Sequence, residues 1–366
     1  FTITNGYGNL GGGVRIANGS SPVVRNCTII DNNGVNNGGG VYLGGGSLAT
    51  LKSCIISDNE AGYGSGIHIK NSSPLIIDCT IEENIAVNSG GGIYISGNSN
   101  PIIDQCLITG NSAENSSDLG GGGIFMNDGD GTDTTTIQNS KIINNITPSR
   151  GGGVSLWDDT NIKLNKVLLY NNTADLMAGA VYGGTGCSIE MTQVTMTSNY
   201  SELAGGLYCY GSTSILNTIS WNNVTSTAGQ PNEIDGNVFD ISIEYSDIEG
   251  GWTGTGNIDA DPIFADTANG DYHLLWNSPC INAGDPDLDG DGDDYTTDTD
   301  DQDPDGTRMD MGAYYLHQYT PPLADFTASP TSGQVPLEVQ FTDQSVPIEG
   351  TITNWSWDFG DGNTST

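Results

Sequence analysis

Clusters of small residues alternate with short apolar runs along the first two thirds of the chain, and the alternation keeps a beat. The first apolar residue after each cluster is Val14, Val41, Ile67, Ile93, Ile124, Val154, Val181 and Leu207, at steps of 27, 26, 26, 31, 30, 27 and 26 residues. Asparagines closing the second half of each unit, at 32, 59, 84, 111, 145, 172, 199 and 223, advance by 27, 25, 27, 34, 27, 27 and 24. Two independent anchors on one period mark an internal repeat. Each unit is too short for a βαβ crossover and carries no helical apolar period. It predicts two or three short strands between Gly, Asn and Ser turns. Such a unit cannot bury its apolar side alone, so copies must stack with equivalent residues ~4.8 Å apart. The expected fold is all-β, a parallel β-helix of about eight coils over residues 1–250.

Two-residue alternation then sorts side chains into columns. Val41 and Leu43 point inward and Tyr42 outward, and the same holds at each equivalent position. A later inward column reads Cys27, Cys54, Cys79, Cys106, Ser140, Val167, Val194 and Thr218. Any small residue fits there, which favours reduced core cysteines over a metal site. Glycines suit the corners and asparagines the bends, where side-chain amides bond up the stack.

The segments GGGVYL, GGGIYI, NPIIDQCLITGN and SPLIIDCTIEEN resemble the right-handed parallel β-helix repeat proteins of bacterial and archaeal surfaces, a pectin-lyase-like fold. The resemblance implies right-handed coils. It leaves function open, because the fold hosts lyases, hydrolases, adhesins and inert surface proteins.

Charge narrows the partners. Nine Lys plus Arg face 45 Asp plus Glu, a formal charge of −36. Nucleic acid and anionic membranes are repelled by that field, whereas divalent cations are attracted. No apolar run approaches the ~18 residues of a membrane span. Seven cysteines, an odd number, argue against a disulfide framework.

Three groups of residues carry candidate chemistry. The outward column supplies Tyr42, His68, Tyr94, Phe125, Tyr182 and Tyr208, flanked by Trp157. Stacked rings on an exposed sheet face would form a platform for glycans or a partner surface. Asp128 and Asp158 fall in one column of adjacent coils with Asp159 beside them. They form a carboxylate pair for Ca2+ or acid–base work. The lyases of the resembled fold use Ca2+ with a Lys or Arg base, and here the nearest basic residues are Lys70 and His68, two to three coils away.

Beyond Gly251 the beat stops. Residues 251–318 resemble the closing segment found after β-helix repeats, with Ile263, Phe264, Tyr272, Leu274 and Ile281 available to shield the last coil. Within it, DPDLDGDGDDYTTDTDDQDPDG holds two D-x-D-x-D-G frames, Asp287/Asp289/Asp291 and Asp301/Asp303/Asp305, with Asp293 and Asp298 between them. Alternating carboxylates at a Gly-permitted bend predict Ca2+ loops. Residues 319–366 read as a stiff TPP linker followed by a stretch whose WDFGDG resembles the first half of a polycystic-kidney-disease-type (PKD) β-sandwich. A chain that starts on a strand and ends inside such a domain is expected to be part of a longer protein.

The expected function is that of a non-enzymatic extracellular or cell-surface structural and adhesion protein. It would bind extracellular polysaccharide or surface proteins, with end-to-end self-assembly open to it. The alternative is a Ca2+-dependent polysaccharide lyase or glycoside hydrolase.

Overall fold

The computed structural model describes residues 1–115, 120–227, 232–237, 240–318, 323–346, 351–352, 354–358 and 364–365. The linker at 319–322 and most of WDFGDG lie outside them. Each coil contributes four strands rather than two or three. In one coil these are Ile55–Ser57, Glu60–Tyr63, Ile67–Lys70 and Leu75–Ile77. Stacking gives four parallel sheets, the first of ten strands and the other three of nine. The extra strands are segments of two to five residues at bends, such as Ser112–Ala113, where glycine and asparagine had read as turn alone.

The solenoid has about nine turns, one more than the repeat count. Leu207 pairs with Ile234, which continues the 27-residue beat. Glu233 precedes Ile234 where earlier coils carry glycine or, before Val181, alanine, and that break in the small-residue cluster hid the ninth turn.

One apolar core runs the length of the stack. Ile29, Ile56, Ile81, Ile108, Ile142, Leu169 and Met196 are each fully buried in it. The asparagine column beside them is fully bonded. The Nδ2 of Asn59 donates to the Ile29 carbonyl at 2.9 Å and to Asn84 Oδ1 at 3.0 Å, while that same Oδ1 accepts the Asn59 backbone N–H. The pattern repeats through Asn84, Asn111, Asn145 and Asn172. An unpaired buried amide costs ~1–3 kcal/mol, so each rung depends on its neighbours. The Asn145, Asn199 and Asn223 sequons are ladder rungs closed to glycosylation in the folded chain.

The thiol column is structural too. All seven cysteines are free. Cys54 Sγ donates to the Lys52 carbonyl, and the Cys106 N–H is accepted by Ser140 Oγ at 3.0 Å. Size is what the column holds constant: Ser140 and Thr218 use their hydroxyls in the same way, whereas Val167 and Val194 fill the position with no polar group.

The segment after Gly251 departs from the expected end cap. Trp252 packs against the main core, but Phe264, Leu274, Cys280, Ile281 and Met311 gather around Ile219, an outward residue of the first sheet. Tyr272 lies on Tyr170, with ring centroids 5.0 Å apart. The Gly312 N–H donates to the Asn217 carbonyl at 2.7 Å, and the Ala313 N–H to Thr195 Oγ1 at 2.9 Å. At Gly312 (φ 95°) a Cβ would come within 2.7 Å of Ile219 Cδ1, so only glycine lets this segment after Gly251, which forms a strap across the first sheet, lie this close. The chain turns back along the flank of the later coils. Outward positions of the first sheet record it: Ile55 is 43% exposed, whereas Leu168, Thr195 and Ile219 are buried.

The chain divides into two compact units, residues 1–303 with 308–316, and residues 304–307 with 317–366. In the second, Phe326–Ser329 pairs antiparallel with Gln340–Asp343, and Trp357–Asp358 with Thr364–Ser365. Phe326, Phe341 and Trp357 form its aromatic cluster.

Candidate functional site

The outward aromatic column forms a ladder, but not the open platform expected of it. Tyr42, His68, Tyr94 and Phe125 stack in succession, with centroids 5.4, 4.8 and 5.2 Å apart. Parallel pairing sets neighbouring rings about one strand spacing apart, so each ring covers the next. Tyr42, His68, Phe125 and Tyr182 are buried, and Tyr94 and Tyr208 half-buried. A sugar ring stacks on an aromatic face, and here neighbouring rings occupy the faces. At Ser155, where the column lacks a ring, Arg150 fills the gap. Its guanidinium lies 5.5 Å from the Trp157 ring and 5.7 Å from the Tyr182 ring.

The proposed catalytic set is not assembled. Asp128 and Asp158 do sit on adjacent coils, where the Gly129 N–H bonds the Asp158 carbonyl at 3.0 Å, and both are exposed beside exposed Asp159. Lys70 and His68 belong to a strand two pairings away, through Ile93–Ser96 and Ile124–Asn127. Burial pushes the His68 imidazole down to about 4, so it is neutral at pH 7, and its Nε2 has no partner among the described residues. The ring is one element of the stack, held between Tyr42 and Tyr94.

The acidic loop is rearranged relative to its two frames. Asp287 and Asp289 of the first frame meet Asp301 of the second, their carboxylate oxygens all within 4.8 Å of one another. A second group joins Asp289, Asp291 and Asp298. Asp293 belongs to neither. Asp303 is buried and accepts the Asp310 N–H at 2.7 Å, which ties down the strap. Asp305 falls in the second unit and accepts from Thr307 and Gln318.

A further feature has no sequence signal. Where the strap crosses the first sheet, a cavity of about 340 Å3 is lined by Lys141, Lys166, His273, Tyr314 and Tyr315, among others. Lys141 Nζ lies 5.7 Å from the centre of the Tyr314 ring, and the His273 imidazole stacks on that ring at 4.4 Å. Asp271 holds His273 Nδ1 at 2.6 Å. Burial pushes the Tyr314 hydroxyl up to about 12, so it remains a neutral donor. Two of the nine Lys and Arg side chains in a strongly acidic protein thus line one cleft with aromatic walls.

The profile of the right handed beta helix region matches residues 2–174 and, in a second alignment, 39–248. The chain belongs to this right-handed β-helix family. No curated protein and no solved structure matches it.

Family membership accounts for the four sheets and the ladders but not for the strap or the cleft, which lie in part beyond the matched residues. In this β-helix protein Lys141 and Tyr314 are separated by 173 positions, the difference of their numbers. No local pattern links two such residues. Only the return of the chain along the flank brings them together.

Proposed function

We propose that this β-helix protein is a non-enzymatic structural and adhesive component of an extracellular or cell-surface assembly. It holds acidic polysaccharide in the cleft between the first sheet and the strap. The observation that carries this reading is the placement of Lys141, Lys166 and His273 around Tyr314. Ammonium groups suit the carboxylates of a uronate-type glycan, and an aromatic wall suits its apolar ring faces. The separation of Asp128 and Asp158 from Lys70 and His68 supports a non-catalytic role for the solenoid face. The PKD-like sequence after residue 319 supports a place among modular surface proteins, and the parallel edges of the coils leave end-to-end assembly open.

One observation favours the lyase alternative. The Asp271–His273 pair beside Lys141 is a base of the kind that abstracts a proton next to a uronate carboxylate. Affinity electrophoresis in a polyuronate gel, alongside a neutral-glucan gel, separates the outcomes. Retardation only by the polyuronate, lost in Lys141→Glu/Lys166→Glu, supports adhesion. Equal mobility in both gels removes the glycan role, and release of an unsaturated, ultraviolet-absorbing product establishes the lyase.

A further inference from the structure

A carboxylate cannot be buried as an anion without a counter-charge or a full set of donors. Asp301 is fully buried. One of its oxygens accepts the Leu288 N–H. The other, Oδ2, has no hydrogen-bond partner among the described residues, and neither has the buried Oδ1 of Asp287. These two side chains converge with Asp289. Three carboxyl groups face one another around a point that no cationic side chain of the described residues is shown to reach: Arg308 is committed to the Gly284 carbonyl and the Tyr245 ring.

We propose that Asp287, Asp289 and Asp301 form a single Ca2+ site that joins the two D-x-D-x-D-G frames, instead of one ion in each frame. The spacing suits the ion: ligands at about 2.3–2.6 Å from Ca2+ lie no more than about 5 Å apart, and the three oxygens fall within 4.8 Å. The all-oxygen, carboxylate-rich set selects a hard cation. Mg2+, which keeps its waters and demands a tighter octahedron, is the poorer fit. The loop backbone shapes the site from within. The Gly292 N–H turns back onto Asp287 Oδ2 at 3.2 Å, and the Asp291 N–H onto Asp289 Oδ1 at 3.1 Å, so each ligating carboxyl has one oxygen fixed by the loop and one left for the metal. The ion's structural effect follows from what the loop is fastened to. The Asp285 N–H bonds Asn217 Oδ1 at 2.6 Å, beside the place where Gly312 meets the same residue, so a metal that closes the loop also clamps the strap to the solenoid.

The test uses the whole chain, first stripped with EDTA and then titrated with Ca2+ or Mg2+ by calorimetry and thermal melting. One Ca2+ is expected in the tight phase, with a higher melting temperature, and Mg2+ at the same concentration reproduces only a fraction of the shift. Asp301→Asn weakens that phase at least about tenfold. In EDTA, Asp301→Asn melts at or above the wild type, because a crowded carboxylate has been neutralised. Asp293→Asn, which removes the same charge outside both groups, keeps the Ca2+ increment. Equal losses in Asp301→Asn and Asp293→Asn would reveal diffuse attraction instead of a site and overturn the proposal, as would a wild-type melt indifferent to Ca2+.

Discussion

Asn223 hands the asparagine ladder to an acid: its backbone N–H donates to Glu233 Oε1 at 3.0 Å, and its Nδ2 to the other carboxyl oxygen. Ser220 Oγ adds a third donor at 2.6 Å. Burial nevertheless dominates and pushes the Glu233 carboxyl from 4.5 up to about 7. An acid with a raised folded pKa contributes stability that is complete below its unfolded value and lost as pH climbs through the folded one. Asp247, buried and raised from 3.8 to about 6, acts in the same sense. In chelator, the melting temperature should therefore rise as pH falls from 7.5 toward 5. Glu233→Gln, which retains an acceptor, should flatten the upper part of that slope, an effect on the order of 2 kcal/mol. A wild-type curve that falls over this interval would contradict the assignment.

His68 pulls the other way. Its folded pKa near 4 lies below the ordinary 6.5, so charging the unfolded chain costs native stability as pH drops from 6.5 to 4. Phenylalanine would keep the stack between Tyr42 and Tyr94 and remove the unpartnered Nε2. We expect His68→Phe to melt within about 1 kcal/mol of wild type at pH 7 and above it at pH 5. Marked destabilisation at both pH values would mean that the ring nitrogens have a role beyond stacking.

A mid-ladder asparagine should be far less tolerant. Asn111→Ala deletes the bonds from Nδ2 to the Ile81 carbonyl and Asn145 Oδ1, and it strands the Asn84 amide and backbone N–H that Asn111 Oδ1 accepts. Chemical denaturation should show a loss of about 3–5 kcal/mol. A loss below about 1 kcal/mol would show that the ladder is dispensable.

Thiol chemistry reports on the core. Cys27 is half-buried and the other six cysteines are buried, with the hydrogen bond to the Cys79 thiol, and then burial, holding the Cys54 thiol well above its ordinary range. With a water-soluble disulfide reagent on native protein near pH 8, no more than one thiol should react quickly. All seven should react once the chain is unfolded. Rapid labelling of several would mean that the stack opens readily.

How far the sequence discloses this molecule depends on how local the cause is. Val14 to Leu207 and Asn32 to Asn223 are legible because each coil solves the same burial problem with the same residue types. Ile234 kept the beat but lost its glycine neighbours, so the ninth turn was missed. The direction of Tyr42 and His68 follows from strand alternation, but their burial does not, because it is produced by neighbours a full coil away. Asp287 and Asp301 belong to different frames of one motif, and counting within a frame cannot pair them. The meeting of Lys141 with Tyr314 depends on the strap reversing its course, which no periodicity encodes.

The asparagine column has a direction as well as a length. From Asn59 to Asn199 every side-chain carbonyl faces the preceding coil, while each Nδ2 sends one N–H to the following rung and the other back to a backbone carbonyl of the preceding coil. The amide dipoles therefore add along the axis, with their positive end toward the last turn. Glu233 stands at that end, as an acidic residue stands at the start of a helix. The protein thus carries an electrical polarity aligned with its chain, and whatever follows the final coil meets the end that favours negative charge.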